Sequence, residues 1–490
     1  MAKARGPGRR RPRQPYVTAT PVTGAVPYQP RMSAAAARAA VKNRLGERVK
    51  LAEYRSTVVP LTEGEREVLI EQALEMLERL YAHLPMKRAL HANDPIQALQ
   101  LLRLRQAGLD EREFQSALME VFLGLRDLHT NYILPSGYGT KFAFLPFRVE
   151  EFYEPGGLAP AKAVRKYAVS WVSPVNTVSS LKEGMVVSHW NGSPIELAVA
   201  RNGSREAGSN TDARRAQGIE SLTPRWFGMS LPPDEDWVTL TYTDGARTHE
   251  ARFDWEVVEM PDLKSLLKGL GGAAGARMGL DLNRVLLGRV RKLIFDPQAV
   301  AVEQEAAALR AARTTPAPPR AETSVLPDVF ERFGPVSVPS IGTFGYVRLK
   351  SFAPEPPDVN GVVQEFARIL STLPKTGLIL DVRGNGGGYI NIGERILQML
   401  TPQEITPEPF HFLATPLTLA IATVKANQWT DWKETLGQGI ESGASFSQGF
   451  PLTDASACND IGQVYQGPVV LVTDALCYST TDIFAAGFQD

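Results

Sequence analysis

Cysteine is the scarcest informative residue here. Cys458 and Cys477 are the only two in 490 residues, so no disulfide framework exists, although one bridge between them is admitted. No cysteine pair has zinc spacing, and the six histidines do not make up for it. His249-Glu250 resembles the start of a zinc-binding helix. Phe253 stands where the second histidine would be, and the segment reads as strand, so no metal is expected. No apolar run reaches membrane-spanning length. Net charge is lacking too: 53 Lys and Arg balance 53 Asp and Glu, so no global field argues for a nucleic-acid partner. The N-terminus carries Arg9, Arg10, Arg11 and Arg13 but no apolar core after them, so no secretory signal is read and the compartment stays open.

What is present divides into several units, since 490 residues exceed one compact domain. Residues 1–32 are basic and Pro-rich and are expected to form a disordered arm, with an anionic-surface tether as the minor alternative. Residues 33–135 read as a helical domain. An Ala-rich helix runs to about Leu51. A second carries a Thr62/Glu65 capping box and the stripe Val68, Leu69, Ala73, Leu77, Leu80 and Leu84 before Pro85. A third spans Pro95 to Gln106, and a fourth opens at Asp110 with Glu113 and exits at Asp127-Leu128-His129. Residues 136–258 are β-rich. Strands are read at Lys141–Val149, Ala163–Val172, Gly184–Trp190, Trp237–Thr243 and Thr248–Trp255, and Asn191-Gly192 and Asp244-Gly245 are hairpin signals. A helix is expected near Asn210 to Gly218, and Trp226 and Trp237 as exposed aromatics. Residues 259–330 combine a helical stretch with an Ala/Pro linker. From 331 to 490 strands and helices alternate, which argues an α/β layer fold, with 402–466 as a long excursion.

Two stretches of this last unit carry chemistry. Pro468 to Val472 reads as a buried strand followed by Ser479 and then by helical spacing through Ile483 and Phe484. A serine at a strand-to-helix junction faces the free N–H groups and positive end of the helix, which suits a nucleophile; it is also a preferred N-cap. Leu378 to Gly388 is a strand running into Gly384-Asn-Gly-Gly-Gly388. A dinucleotide fingerprint would need a small residue where Tyr389 stands, and the Gly-Lys-Ser/Thr of a phosphate loop is absent. An oxyanion hole or a plain tight turn remains.

The order of these parts resembles the carboxy-terminal-processing (tail-specific) serine protease family and its tricorn-type relatives. The residues that carry it are the exit Asp127-x-His129, a β-rich module, Asp381-x-Arg-x-Asn-Gly-Gly-Gly388, and Ser479-x-x-Asp482-Ile-Phe-Ala-Ala-x-x-Gln-Asp490. Thr480 and Thr481 stand where the family has small residues. The resemblance implies a multi-domain α/β protein: an N-terminal helical domain, a PDZ-like module at about 160–258 and a crotonase-like catalytic core. It implies peptide-bond hydrolysis without a cofactor, through an acyl-enzyme on Ser479. The oxyanion would be held by the N–H groups of Thr480 and Gly387, with Gly386, Gly388 and Tyr478 against a polypeptide substrate. Family members divide between a Lys base beyond the serine and a His base near the N-terminus oriented by a later Glu; His129 matches the second branch. The chain ends at Asp490, eleven residues after Ser479, so the family's Lys and Glu would fall outside it and the core is expected to be C-terminally incomplete.

Two rivals stand beside this reading: a non-catalytic peptide or hydrophobic-ligand scaffold of the same fold, and a crotonase-like acyl-transfer enzyme that would not need Ser479. The distance between His129 and Ser479 separates the first from a peptidase. A homo-oligomer is admitted.

Overall fold

The computed structural model describes residues 33–135, 137–154, 163–259, 290–291, 294–295, 324–354, 358–424 and 429–490. The arm at 1–32, most of the helical stretch after 259 and the linker as far as 323 lie outside them.

Helix α1 (Ala34–Leu45) is capped by the Ser33 hydroxyl and stops at Gly46, whose φ of 63° a helix cannot continue. The expected single helix to Leu51 is therefore broken. Strand β1 (Arg48–Lys50) follows and pairs antiparallel with β10 (Glu256–Glu259), more than 200 residues later in the sequence; helix α2 (Leu51–Ser56) comes next. Helix α3 (Glu63–Arg79) has the Thr62/Glu65 capping box. Its buried face is Ile70, Ala73, Leu74 and Leu77, with Val68 turned outward, so the stripe is rotated from the one read in sequence. Pro85 does not merely end that helix; it sits in the first turn of a new one, α4 (Leu84–His91), where a missing N–H costs nothing. Helices α5 (Pro95–Arg105) and α6 (Glu111–Gly124) are capped by Asp94 and by an Asp110/Glu113 box. Ile70, Leu77, Leu99, Phe114, Leu118 and Leu125 close a core between α3, α5 and α6.

The strand read as 141–149 is two strands, β2 (Lys141–Phe144) and β3 (Phe147–Glu154), because Pro146 has no N–H for a ladder. They enter different sheets. One has the order β1-β10-β2-β7, with β7 at Pro224–Trp226. The other runs β3-β4-β5-β8-β9, with β4 at Val164–Val172, β5 at Val186–Trp190, β8 at Trp237–Thr243 and β9 at Thr248–Asp254, and β6 (Ser193–Pro194) pairs with β5. Asn191 and Gly192 both have positive φ, 50° and 72°, as a type I′ turn requires. Asp244-Gly245 differs: the loop between β8 and β9 has four residues, and Asp244 Oδ1 accepts from the Ala246 and Arg247 amides. Helices α7 (Ile195–Gly203) and α8 (Thr211–Glu220) pack beside this sheet; one or two helices were expected in this module, and only the second was located from the sequence. Trp226 is fully buried, contrary to its reading as exposed, and its indole N–H donates to the Gly139 carbonyl at 2.7 Å.

The C-terminal unit is built on the sheet β11-β12-β13-β16, at Phe330–Val338, Gly342–Leu349, Leu378–Asp381 and Val469–Val472. The first pair is antiparallel, and β12, β13 and β16 run parallel. Helices α9 (Val359–Thr372) and α10 (Ile390–Gln398) cover it, burying Val363, Phe366, Ile369, Ile392 and Ile396 against Val347, Leu378 and Leu380. The excursion is not a structureless loop. It holds α11 (Pro416–Thr423), α12 (Thr430–Ser442) and the short pair β14 (Pro409–Phe410) and β15 (Phe450–Pro451) around Trp432 and Leu436, and α13 (Ala455–Cys458), which packs against α10. Helix α14 (Thr480–Gln489) follows β16. The glycine loop and Ser479 thus leave the carboxyl ends of adjacent parallel strands, where side-chain and backbone groups of an α/β sheet converge.

Candidate active site

Ser479 lies between β16 and α14 with φ 58° and ψ −122°, a conformation a non-glycine residue adopts only under strain. Its hydroxyl makes no capping bond, so the N-cap reading of this serine fails at the side chain. The carbonyl starts the helix instead, accepting from the Asp482 and Ile483 amides at 2.8 and 3.0 Å. A sharp turn of this kind presents the hydroxyl outward rather than folding it back on the helix end. The hydroxyl meets His129 Nε2 at 3.0 Å, across 350 positions of sequence.

His129 arrives from the far end of the chain. Helix α6 ends, Arg126 takes a positive φ of 51°, and Asp127 Oδ1 accepts the His129 amide at 3.0 Å, closing a tight turn. The imidazole stacks on Tyr478, ring centroids 4.5 Å apart, which fixes the ring plane beside the serine. Its side chain is 48% exposed, so the pair is reachable from solvent.

The glycine loop is tied to the serine turn from both sides. Tyr478 N–H donates to the Asn385 carbonyl at 3.2 Å, and the buried Thr480 hydroxyl donates to the Gly388 carbonyl at 2.7 Å. Gly388 must be glycine: its φ is 145°, and a Cβ there would lie 2.2 Å from the Phe352 carbonyl carbon. Gly387 also has positive φ, 91°, and Gly386 is half-buried between it and Asn385. The Gly387 N–H donates to the Asn385 side-chain oxygen at 2.9 Å, and the fully buried Asn385 donates in turn to the Leu349 carbonyl at 3.2 Å. Asn385 was read in the sequence only as part of the Asp381-x-Arg-x-Asn-Gly-Gly-Gly388 motif and given no role, although an Asn two residues before a left-handed glycine is a turn signal. Thr480 is the first helical residue, so its N–H has no partner within the helix.

At the loop's root, Asp381 is 1% exposed and binds Arg383, Arg348 and the Tyr346 hydroxyl, at 2.7, 3.2 and 2.8 Å. Burial works to raise its carboxyl, but hydrogen bonds from Arg383 and Tyr346 outweigh it and hold the group at about 2. Among the described residues no group of His, Cys, Asp or Glu could hold a metal ion, and no helix is long and apolar enough to cross a membrane. Cys458 and Cys477 are not bridged.

A strained serine between strand and helix, met by a histidine and flanked by a glycine loop, defines a serine hydrolase layout. Residues 343–490 match the model of peptidase family S41. The match takes in the C-terminal unit, from β12 to the end of α14. Mature CPAF is similar in structure at 16% identity, over 87% of this chain and 82% of that one, with a TM-score of 0.56. Mature CPAF complexed with lactacystin gives 16%, 87%, 83% and 0.55. The photosystem II D1 C-terminal processing protease aligns over 88% of this chain and 79% of its own at 13% identity, but its TM-score of 0.30 is too low to compare element with element. No curated protein matches the chain.

Proposed function

We propose that the chain is a serine endopeptidase of the carboxy-terminal-processing class, cleaving polypeptides through an acyl-enzyme on Ser479. The observation that carries the reading is the 3.0 Å approach of His129 Nε2 to Ser479 Oγ. A scaffold that only bound ligands would have no need to spend backbone strain on a serine aimed at a histidine. The sheet β11-β12-β13-β16 with its helices serves as a crotonase-like core, and the sheet β3-β4-β5-β8-β9 as a PDZ-like module for extended peptide.

In the reaction Ser479 Oγ attacks the scissile carbonyl while His129 Nε2 takes its proton. A histidine needs no burial to work near neutral pH, because its ordinary value already lies close to it. The oxyanion develops toward the Thr480 N–H at the positive end of α14 and toward the Gly387 N–H. Gly387 enters by exchanging the Asn385 oxygen for the substrate's, and the charged oxyanion is the stronger acceptor of the two. His129 then protonates the leaving amine, and water attacks the acyl-enzyme by the reverse path. Gly386, Gly388 and Tyr478 border the reacting carbonyl.

The test is peptidase activity on an unfolded protein substrate, with labelling by a fluorophosphonate located by mass spectrometry. Ser479→Ala and His129→Ala each abolish turnover, the label falls on Ser479, and the thermal midpoint of Ser479→Ala stays near that of the parent. Undiminished turnover in Ser479→Ala would overturn the assignment.

A further inference from the structure

We propose that Asp127 and Tyr81 form a positioning pair behind His129, so that a carboxylate from the chain's own helical unit orients the base. The proposal rests on the Ser479–His129 reading above. Asp127 Oδ1 holds the His129 amide at 3.0 Å and stands 4.0 Å from His129 Nδ1, on the side of the ring away from Ser479. The second oxygen is held in turn. Tyr81 Oη donates to Asp127 Oδ2 at 2.8 Å, and Thr130 Oγ1 donates to it at 3.4 Å. Tyr81 is 8% exposed and belongs to the packed core of the helical unit. Burial first, and Asp127 second, push its phenol far above the ordinary value, so it remains a donor.

The strained turn is secured from the other side as well. Arg126, at φ 51°, has its carbonyl bound by Lys87 Nζ at 3.1 Å. The titratable and charged groups around the turn include Tyr81 just after α3, Lys87 and His91 of α4, Arg126 and Asp127 at the exit of α6, and Tyr478 stacked on the His129 ring. A gap of 4.0 Å is too long for a hydrogen bond, so Asp127 acts through its charge and through the backbone it fixes. The charge favours the tautomer with its proton on Nδ1, which leaves the Nε2 lone pair for the serine proton, and it stabilises the imidazolium formed afterwards. Tyr81 keeps the carboxylate from swinging away. Neither residue touches substrate.

Asp127→Asn separates this role from turn-making, since asparagine keeps the oxygen that accepts the His129 amide while it loses the charge and turns the oxygen facing Tyr81 and Thr130 into a donating amide. Two readouts are taken: the pH profile of kcat and KM, and titration of the His129 ring by NMR in a Ser479→Ala background, which needs no activity. The expected result is a kcat lowered about tenfold or more with KM unchanged. The His129 pKa falls by about one unit, because an imidazolium has lost its counter-charge. Tyr81→Phe lowers kcat several-fold, again without a change in KM. A His129 titration and a kcat that both stay at parental values in Asp127→Asn overturn the pair. A shifted titration with no peptidase activity in the parent leaves the pair standing and overturns the peptidase reading instead.

Discussion

Ser479 is the residue at which strain and chemistry meet. A non-glycine residue held in such a conformation costs about 1–3 kcal/mol, which the surrounding hydrogen bonds must offset. Ser479→Gly relieves the strain and Ser479→Ala does not. The glycine variant is therefore expected to equal or exceed the alanine variant in stability, by up to about 1 kcal/mol after glycine's own entropic cost. Denaturant unfolding of the two decides it, and a glycine variant clearly less stable than the alanine one would show that the turn is unstrained. Thr480 supplies a second residue-scale test. Thr480→Val keeps the shape but orphans the buried Gly388 carbonyl, so it should lower stability by about 1–2 kcal/mol and reduce kcat through a loosened loop.

At the scale of elements, β13 and its glycine loop are anchored by Asp381. A carboxyl held below its ordinary 3.8, here at about 2, contributes stability that is complete above the unfolded value. That contribution is lost as the pH falls through the folded value. The shift corresponds to about 2 kcal/mol. Asp381→Asn should therefore cost about that much at pH 7, with the gap to the parent shrinking between pH 4 and pH 2. Urea midpoints at three pH values measure it; a gap independent of pH would assign the loss to packing. The elements themselves were unevenly legible. Strand β12 and helices α3, α5 and α6 announced themselves by period and caps. The division of β2 from β3 hung on one proline, and α4 was hidden because a proline that begins a helix reads equally well as one that ends the last.

The whole molecule brings His129 to Ser479 from two separately cored units. Among the described residues, Thr415 Oγ1 donating to the Arg79 carbonyl at 2.9 Å is a further hydrogen bond between them. Contacts of that size open more easily than either core. Rising urea should accordingly abolish turnover before the helical circular-dichroism signal falls. Coincident curves would mean that the two units unfold as one.

Read alone, the sequence determined what is local or periodic: the capped helices, the strand-to-helix alternation after residue 331, the Asn191-Gly192 turn, and the identities of Ser479, His129 and the glycine loop as candidates. Such features depend on neighbours within a few positions, and residue type and spacing encode them. Only the tertiary structure decided that β1 joins β10, that Trp226 is buried, that the Gly387 amide is engaged by Asn385, and that Tyr81 stands behind Asp127. It also decided the distance of 3.0 Å between a histidine and a serine 350 positions apart. Contacts of that separation are set by how packed cores orient their exits, and no local pattern carries that information.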